Sequence, residues 1–186
     1  MNSPSVTTRN EAAGITAYIG LGANLESIAG SPHQTLSYAA ERLAQFSEGG
    51  FRLSRIYSST PQDCPPGSPS FCNAVAELHL AMGTTPEFLL SELQSLEYEL
   101  GRVRSGIPNE ARALDLDLLT FGDIELFCED LVLPHPRAHQ RGFVLAPLAE
   151  LAPDLLLPGQ TRTVRELLSD LPEDPLLIPL GLQKSI

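Results

Sequence analysis

An α+β fold with a mainly antiparallel sheet is what this 186-residue sequence predicts, and three observations predict it. Short strand-like segments, bounded by turn residues, lie at 15–21, 51–58, 71–81 and 113–121. Two longer segments, 32–46 and 86–100, instead repeat their apolar residues at helical spacing. The helices follow the first and third strands. The order is therefore β-α-β-β-α-β, the ferredoxin-like pattern, with the helices packed on the sheet.

Each element has its own signal. The first strand runs over 15–21 and reads as ending in Gly20, Gly22 and Asn24, which is turn chemistry. Ser31-Pro32 is an N-cap followed by a proline at the first helical position, and Leu36, Ala39, Ala40, Leu43 and Phe46 follow at helical spacing. Phe51, Leu53, Arg55 and Tyr57 mark one face of strand two. Residues 59–70 hold four prolines and a glycine and cannot be regular structure; a connection of that length is a candidate functional loop. Strand three, 71–81, has Cys72, Ala74, Ala76, Leu78 and Leu80 on one face and Phe71, Asn73 and Val75 on the other. Thr85-Pro86-Glu87 opens the second helix, which runs to about Leu100. After strand four at 113–121, residues 124–133 read as extended, 143–150 as helix and 163–170 as a short helix. The proline-rich tail from Pro172 carries no assignment. Residues 1–14 read as a disordered tail, and 15–186 as a single domain.

Composition narrows the function. Apolar residues make up 42% of the chain, enough for an ordinary core, and 23 acidic against 12 basic side chains give a net charge of −11. That balance argues against a nucleic-acid binder, which needs a basic face, but leaves room for a nucleotide held by a local cluster of positive charge. Eleven of the basic residues are arginine, and Lys184 is the one lysine. A GC-rich genome would produce the same bias, but an arginine that meets phosphate can bind it bidentately. Cys64, Cys72 and Cys128 are too few and too scattered for a disulfide framework or a zinc site, which fits a reducing cytoplasm. Neither a signal peptide nor a membrane-spanning run is present in the sequence.

The chemistry concentrates in a few residues. In Leu114-Asp115-Leu116-Asp117-Leu118, strand alternation points both carboxylates one way and the three leucines the other. Carboxylates about 7 Å apart on one face repel unless water screens them or a cation joins them, and hard oxygen donors suit Mg²⁺. An acidic solvent face would look the same in sequence. The neighbours favour the metal reading, because Arg102, Arg104 and Arg112 precede the pair and His135 and Arg141 follow it, the equipment that binds a triphosphate. On the second helix, Glu97 falls at the edge of the apolar arc formed by Leu89, Leu93, Leu96 and Leu100, so its carboxylate needs a partner unless it snorkels to water. Phe71 and Asn73 share a strand face and suit a flat heterocycle by stacking and hydrogen bonding. There is no G-x-x-x-x-G-K-[ST] or G-x-G-x-x-G loop.

Taken in order, these marks resemble a known family. They are Ala17-Tyr18-Ile19-Gly20-Leu21-Gly22-Ala23-Asn24-Leu25; Tyr57 with Thr60-Pro61; Phe71-x-Asn73-Ala74; Glu97 ahead of Gly101-Arg102-Val103-Arg104; Arg112-x-x-Asp115-Leu116-Asp117; Pro134-His135-Pro136-Arg137; and Arg141-Gly142-Phe143-Val144-Leu145-x-Pro147-Leu148. From about Ala17 to Leu168 the chain resembles the 6-hydroxymethyl-7,8-dihydropterin pyrophosphokinases of folate biosynthesis.

The resemblance implies transfer of a pyrophosphoryl group from ATP to the pterin hydroxymethyl oxygen, leaving AMP. It implies that Asp115 and Asp117 hold two Mg²⁺ ions. Thr60, Pro61, Phe71, Asn73, Glu97 and Phe143 would contact the pterin. Gln94, Arg104, Arg112, Leu118, His135 and Arg141 would contact ATP, and Arg102 and Arg112 would steady the transferring phosphates. A monomer acting in the cytoplasm on small molecules is expected, with no nucleic-acid or membrane partner. The chain departs from the family pattern at Ser105, at Pro108-Asn109-Glu110, and at Phe71, where a tyrosine is common. Two competing readings are a binding module without turnover, motivated by the altered 105–110 loop, and a ferredoxin-like nucleic-acid binder, which the charge opposes.

Overall fold

The computed structural model describes residues 14–102, 110–175 and 177–180. The elements are β1 (Ile15–Ala23), α1 (Pro32–Ala44), β2 (Phe51–Leu53), β3 (Tyr57–Ser59), β4 (Phe71–Leu80), α2 (Pro86–Glu99), β5 (Asp115–Phe121), β6 (Leu126–Phe127), β7 (Val132–Leu133), α3 (Gly142–Leu151), α4 (Val164–Asp170) and β8 (Ile178–Pro179). The main sheet has the order β5-β1-β4-β3-β8, with β2 also on β4, and all its pairings are antiparallel. This is the expected ferredoxin-like arrangement, with the outer strand β8 added beside β3.

The helix starts follow from their caps. Ser31 N–H donates to Gln34 Oε1 at 2.9 Å while Ser31 Oγ accepts from Gln34 N–H, closing a capping box before Pro32. Thr85 Oγ1 accepts from Phe88 N–H at 3.2 Å, and Pro86 occupies the first turn, where its missing N–H costs nothing. Thr163 and Glu166 form a second capping box at α4.

Two features differ from the sequence reading. The segment expected as one strand at 51–58 is split. Leu53 pairs with Ala76 and Tyr57 with Asn73, so one extra residue bulges out. Ser54 makes the break stable: its N–H donates to Val75 O, and its hydroxyl accepts from Val75 N–H, both at 2.9 Å. The tail left unassigned contributes β8, pairing Ile178 with Ser58 and Pro179 with Tyr57. A two-residue strand with a proline on a sheet edge has little pattern to read. Within 124–133, expected as extended, Leu126–Phe127 and Val132–Leu133 pair as the short β6–β7 hairpin.

The two faces of the sheet are covered differently. Helices α1 and α2 bury one face in a continuous core that includes Ile19, Leu21, Leu36, Leu43, Leu78, Leu93, Leu96, Leu116 and Leu118. On the other face α3 and α4 pack over Tyr18, Val75 and Leu119, with Val144, Leu145, Leu148 and Val164 opposite. The part of that face around Gly20, Gly22, Phe71, Asn73, Asp115 and Asp117 is left as a cavity wall. Among the described residues no helix is long and apolar enough to cross a membrane.

Candidate active site

Sheet register builds the floor of the site. On β1, Gly22 lies between Asp115 of β5 and Asn73 of β4, and Gly20 lies between Asp117 and Val75. A Cβ on Gly22 would come within 3.7 Å of Asn73 Oδ1, 3.8 Å of Asp115 Cβ and 4.0 Å of Phe71 Cδ1. The two glycines are thus inside a strand, where missing side chains open a cavity of about 360 Å³. The turn expected there begins only at Asn24. That residue is 5% exposed and ties three segments together. Its Oδ1 accepts from Arg112 N–H at 2.7 Å, its N–H donates to Arg112 O at 3.0 Å, and its Nδ2 donates to Pro69 O at 3.1 Å in the proline-rich loop.

Asp115 and Asp117 both line the cavity, and Leu114, Leu116 and Leu118 are buried in the opposite core, as alternation requires. The two acids have different surroundings. Asp115 is held on both oxygens, by Arg102 Nη1 on Oδ1 and Arg112 Nη1 on Oδ2, each at 2.8 Å. Asp117 makes no hydrogen bond or ion pair among the described residues. Burial, and next the charge of Asp115, push its carboxyl well above the ordinary range, against the pull of Arg141, Arg112 and Arg102. No group of three or more histidine, cysteine or acidic side chains that could hold a metal occurs among the described residues. The donor set is therefore two carboxylates facing an open, polar cavity. That fits Mg²⁺, which keeps several waters and takes further oxygens from substrate phosphates.

Glu97 is buried at 3% exposure, and its inward position on α2 is confirmed. Its Oε1 accepts from Leu116 N–H, on the outermost strand, at 2.7 Å, and also from Arg102. Burial dominates and raises its carboxyl to about 7, although the Leu116 N–H and Arg102 favour the ionised form. Arg102 thereby links Glu97 to Asp115.

On the far wall, a bulge in β5 places His135. Ile19 pairs with Leu118 but Tyr18 pairs with Thr120, which leaves Leu119 as the extra residue. His135 N–H donates to the Leu119 carbonyl at 2.8 Å. Its Nδ1 accepts from Arg137 N–H at 3.2 Å, which leaves the proton of the neutral ring on Nε2. Burial, and then Arg141 and Arg137, lower its pKa to about 4. Two aromatic rings complete the walls. The Arg112 guanidinium lies 5.9 Å from the Phe71 ring centre, and that of Arg141 lies 5.4 Å from the Phe143 ring centre.

Most of the expected residues meet at this one cavity. Thr60, Phe71, Asn73, Gln94, Glu97, Arg102, Arg112, Asp115, Asp117, His135, Arg141 and Phe143 all line it. Two further expected residues are not part of this lining. The Leu118 side chain is 4% exposed and packs in the core behind the sheet, because Asp117 takes the cavity side. Pro61 is not a lining residue, although its neighbours Thr60 and Gln62 are. Arg104, Ser105, Pro108 and Asn109 lie outside the described residues. The sequence reading gave Gly20, Gly22 and Asn24 only turn roles, and it gave Asp130, a lining residue from the β6–β7 hairpin, no role. The signal available for the glycines was their alternation with Ala17, Ile19, Leu21 and Ala23.

A ferredoxin-like sheet with a carboxylate pair, an arginine rim and two aromatic walls is the layout of a phosphate-handling transferase that also binds a flat ligand. The comparisons with known proteins narrow the class. The family profile for 7,8-dihydro-6-hydroxymethylpterin-pyrophosphokinase (HPPK) matches residues 18–153, more than half of the chain. A Haemophilus influenzae 2-amino-4-hydroxy-6-hydroxymethyldihydropteridine pyrophosphokinase is 41% identical over 146 residues, covering 78% of this chain and 86% of that protein. The Pseudomonas aeruginosa protein of the same name is 39% identical, covering 83% and 91%. The chain belongs to the HPPK family. The Plasmodium falciparum wild-type HPPK-DHPS structure with SDX-DHP superposes with a TM-score of 0.63 at 15% identity, over 87% of this chain and 45% of that one. At that identity the likeness establishes the fold alone, and this chain spans less than half of the longer protein.

Proposed function

We propose that this protein transfers the pyrophosphoryl group of ATP to the hydroxyl of 6-hydroxymethyl-7,8-dihydropterin, yielding the pterin diphosphate and AMP, in folate biosynthesis. The observation that carries the reading is the register that sets Asp115 across Gly22 from Asn73 and Asp117 across Gly20 from Val75, so that a flat ligand and a polyphosphate can share one floor. In this reading the alcohol oxygen attacks the β-phosphorus, the bond from that phosphorus to the α-phosphate oxygen breaks, AMP departs, and the alcohol proton passes to solvent. Two Mg²⁺ ions on Asp115 and Asp117 would supply charge neutralisation for the phosphates and acidify the attacking hydroxyl.

The side chains divide the remaining work. Asn73 gives its Nδ2 hydrogen to Ser59 Oγ at 2.9 Å, and its Oδ1 lies over Gly22, where it would accept from a pterin N–H. Glu97 would accept from the guanidine-like edge, with Phe71 and Phe143 stacking on the ring and Thr60 closing the pocket. Arg102 and Arg112 hold the charge of Asp115 in the free protein, and the same guanidiniums would meet the phosphates once a nucleotide brings its own charge. Gln94, Arg104, Arg141 and neutral His135 would complete the nucleotide side. Catalysis would rest on alignment and electrostatic stabilisation, with no covalent intermediate. We further read the protein as a single-domain, cytoplasmic monomer.

The test is AMP release from ATP, with and without the pterin alcohol and Mg²⁺. Release should require both. Equal AMP in EDTA, or without the alcohol, overturns the proposal.

A further inference from the structure

The cavity has a second wall that the reaction itself does not use. Residues 171–175 and 177–180 pass behind Thr60 as a strap anchored at both ends. Leu171 packs into the cluster between α3 and α4, and Leu180 packs against the main core. Leu180 N–H also donates to Ile56 O at 2.7 Å, and β8 is paired to β3. Gly142, at the start of α3, admits the strap closely: a Cβ there would lie 3.4 Å from Leu177 Cδ2 and 3.9 Å from Leu171 Cδ1.

Between the anchors, the strap reaches the active-site wall through Asp174. Its Oδ2 accepts from Thr60 Oγ1 at 3.0 Å and from Thr60 N–H at 3.5 Å. Thr60 is the residue at which the chain leaves β3 and enters the proline-rich loop. It lines the active-site cavity on one side and, with Gln62 and Phe143, a second cavity of about 870 Å³ under the strap on the other. A side chain that faces a cavity on each side is held by fewer protein neighbours than one in a core. A charge-assisted hydrogen bond to a residue fixed between two anchors supplies that hold.

We infer that Asp174 is a positioning residue for the flat-ligand end of the site, acting through Thr60 to set the wall against which the pterin binds. The inference rests on the proposed function for the identity of that ligand, but not for the geometry. Asp174 touches neither carboxylate of the metal pair. Its loss is expected to act mainly on pterin affinity.

The experiment compares Asp174→Ala and Asp174→Asn with the wild type. Steady-state kinetics are run against each substrate, and fluorescence titration uses 6-hydroxymethylpterin as a non-reacting probe. Asp174→Ala should raise KM for the pterin alcohol about tenfold and weaken probe binding by the same factor, the scale of one charged hydrogen bond. KM for ATP should stay within about twofold. Asp174→Asn keeps an acceptor oxygen for Thr60 and should recover most of the loss. The inference is overturned by wild-type probe affinity in Asp174→Ala. It is equally overturned if Asp174→Asn fails to recover, or if both substrate affinities fall together with Tm, which is the mark of a merely structural strap. Absent turnover in the wild type would count against the proposed function, and the probe titration would still decide the role of Asp174.

Discussion

On β1, the residues facing α1 and α2 are Ala17, Ile19, Leu21 and Ala23, each at most 3% exposed. The residues facing the other way are Tyr18, Gly20 and Gly22. On β5 the same division separates Leu116 and Leu118 from Asp115 and Asp117, and on β4 it separates Ala74, Ala76 and Leu78 from Phe71, Asn73 and Val75. Three adjacent strands thus put aliphatic side chains on one face and carboxylates, an amide, a ring and bare backbone on the other. The first face has what hydrophobic burial needs. The second has what a core would reject: two close carboxylates, one of them with no cation against it among the described residues, and a floor with no side chains. Stability and chemistry lie on opposite sides of one sheet, separated by the thickness of the backbone.

The sharpest way to break that comparison is to mutate adjacent residues of β5. Asp117→Ala should lower kcat by about a thousandfold or more, because it removes half of the metal's protein ligands. In metal-free protein its Tm should hold or rise, since a half-buried carboxylate with no partner among the described residues is lost. Leu116→Ala, one residue away and 5% exposed, should do the reverse: it should cost about 2–5 kcal/mol of stability with the carboxylate pair in place. Thermal unfolding in EDTA alongside AMP-release kinetics reads both. A large stability loss in Asp117→Ala would show that the two faces do not divide the labour.

The glycine floor gives a second test. At Gly22 a methyl group meets its neighbours at 3.7–4.0 Å, ordinary contact, so Gly22→Ala should reduce activity only a few-fold. Gly22→Val adds two further carbons over Asn73 and Asp115. It should raise KM for the pterin alcohol by about a hundredfold, with a Tm change of only a few degrees. If Gly22→Val instead unfolds the protein and leaves the KM of the remaining folded fraction unchanged, the glycine serves packing and not the cavity.

The covered face was readable from the sequence and the open face only in part, for physical reasons. Apolar periodicity reports burial, so it locates α1, α2, β1, β4 and β5 to within two residues at each end, and the opposite facing of Asp115 and Leu116 follows from alternation alone. The inward Glu97 was found as an exception to its helix stripe. Glycine ordinarily marks a turn, and only the sheet register shows that Gly22 lies between Asn73 and Asp115 and Gly20 between Val75 and Asp117. Asn24, a hub for three segments, carried no periodic signal. The break between β2 and β3 depends on one serine hydroxyl replacing a ladder acceptor. The edge strand β8, two residues long with a proline, had none of the alternation on which strand reading depends.

A smaller effect is expected at Glu97, where the two faces meet. Glu97→Gln keeps an acceptor for the Leu116 N–H but loses the charge that holds Arg102. It should raise KM for the pterin alcohol about tenfold while changing KM for ATP less, in initial-rate measurements with each substrate varied. Equal shifts in both would mean that Glu97 acts through Arg102 on the nucleotide side.

The smallest effect expected is a pH dependence of stability from His135. Its pKa falls from the ordinary 6.5 to about 4 in the fold, chiefly by burial. The folded protein therefore binds fewer protons there than the unfolded chain between those values, so stability rises with pH across this window. The contribution is complete above about 6.5 and is lost as the pH falls towards 4. Its size should be on the order of 1–2 kcal/mol, because the ring is only partly shielded from water. His135→Gln should flatten this part of the profile, with denaturant midpoints at pH 4.5 and 7 brought closer together than in the wild type. The substitution leaves the backbone N–H on the Leu119 carbonyl, so the bulge that positions this wall should survive. An unchanged pH profile in the variant would place the titration on other groups and remove His135 from the charge balance of the open face.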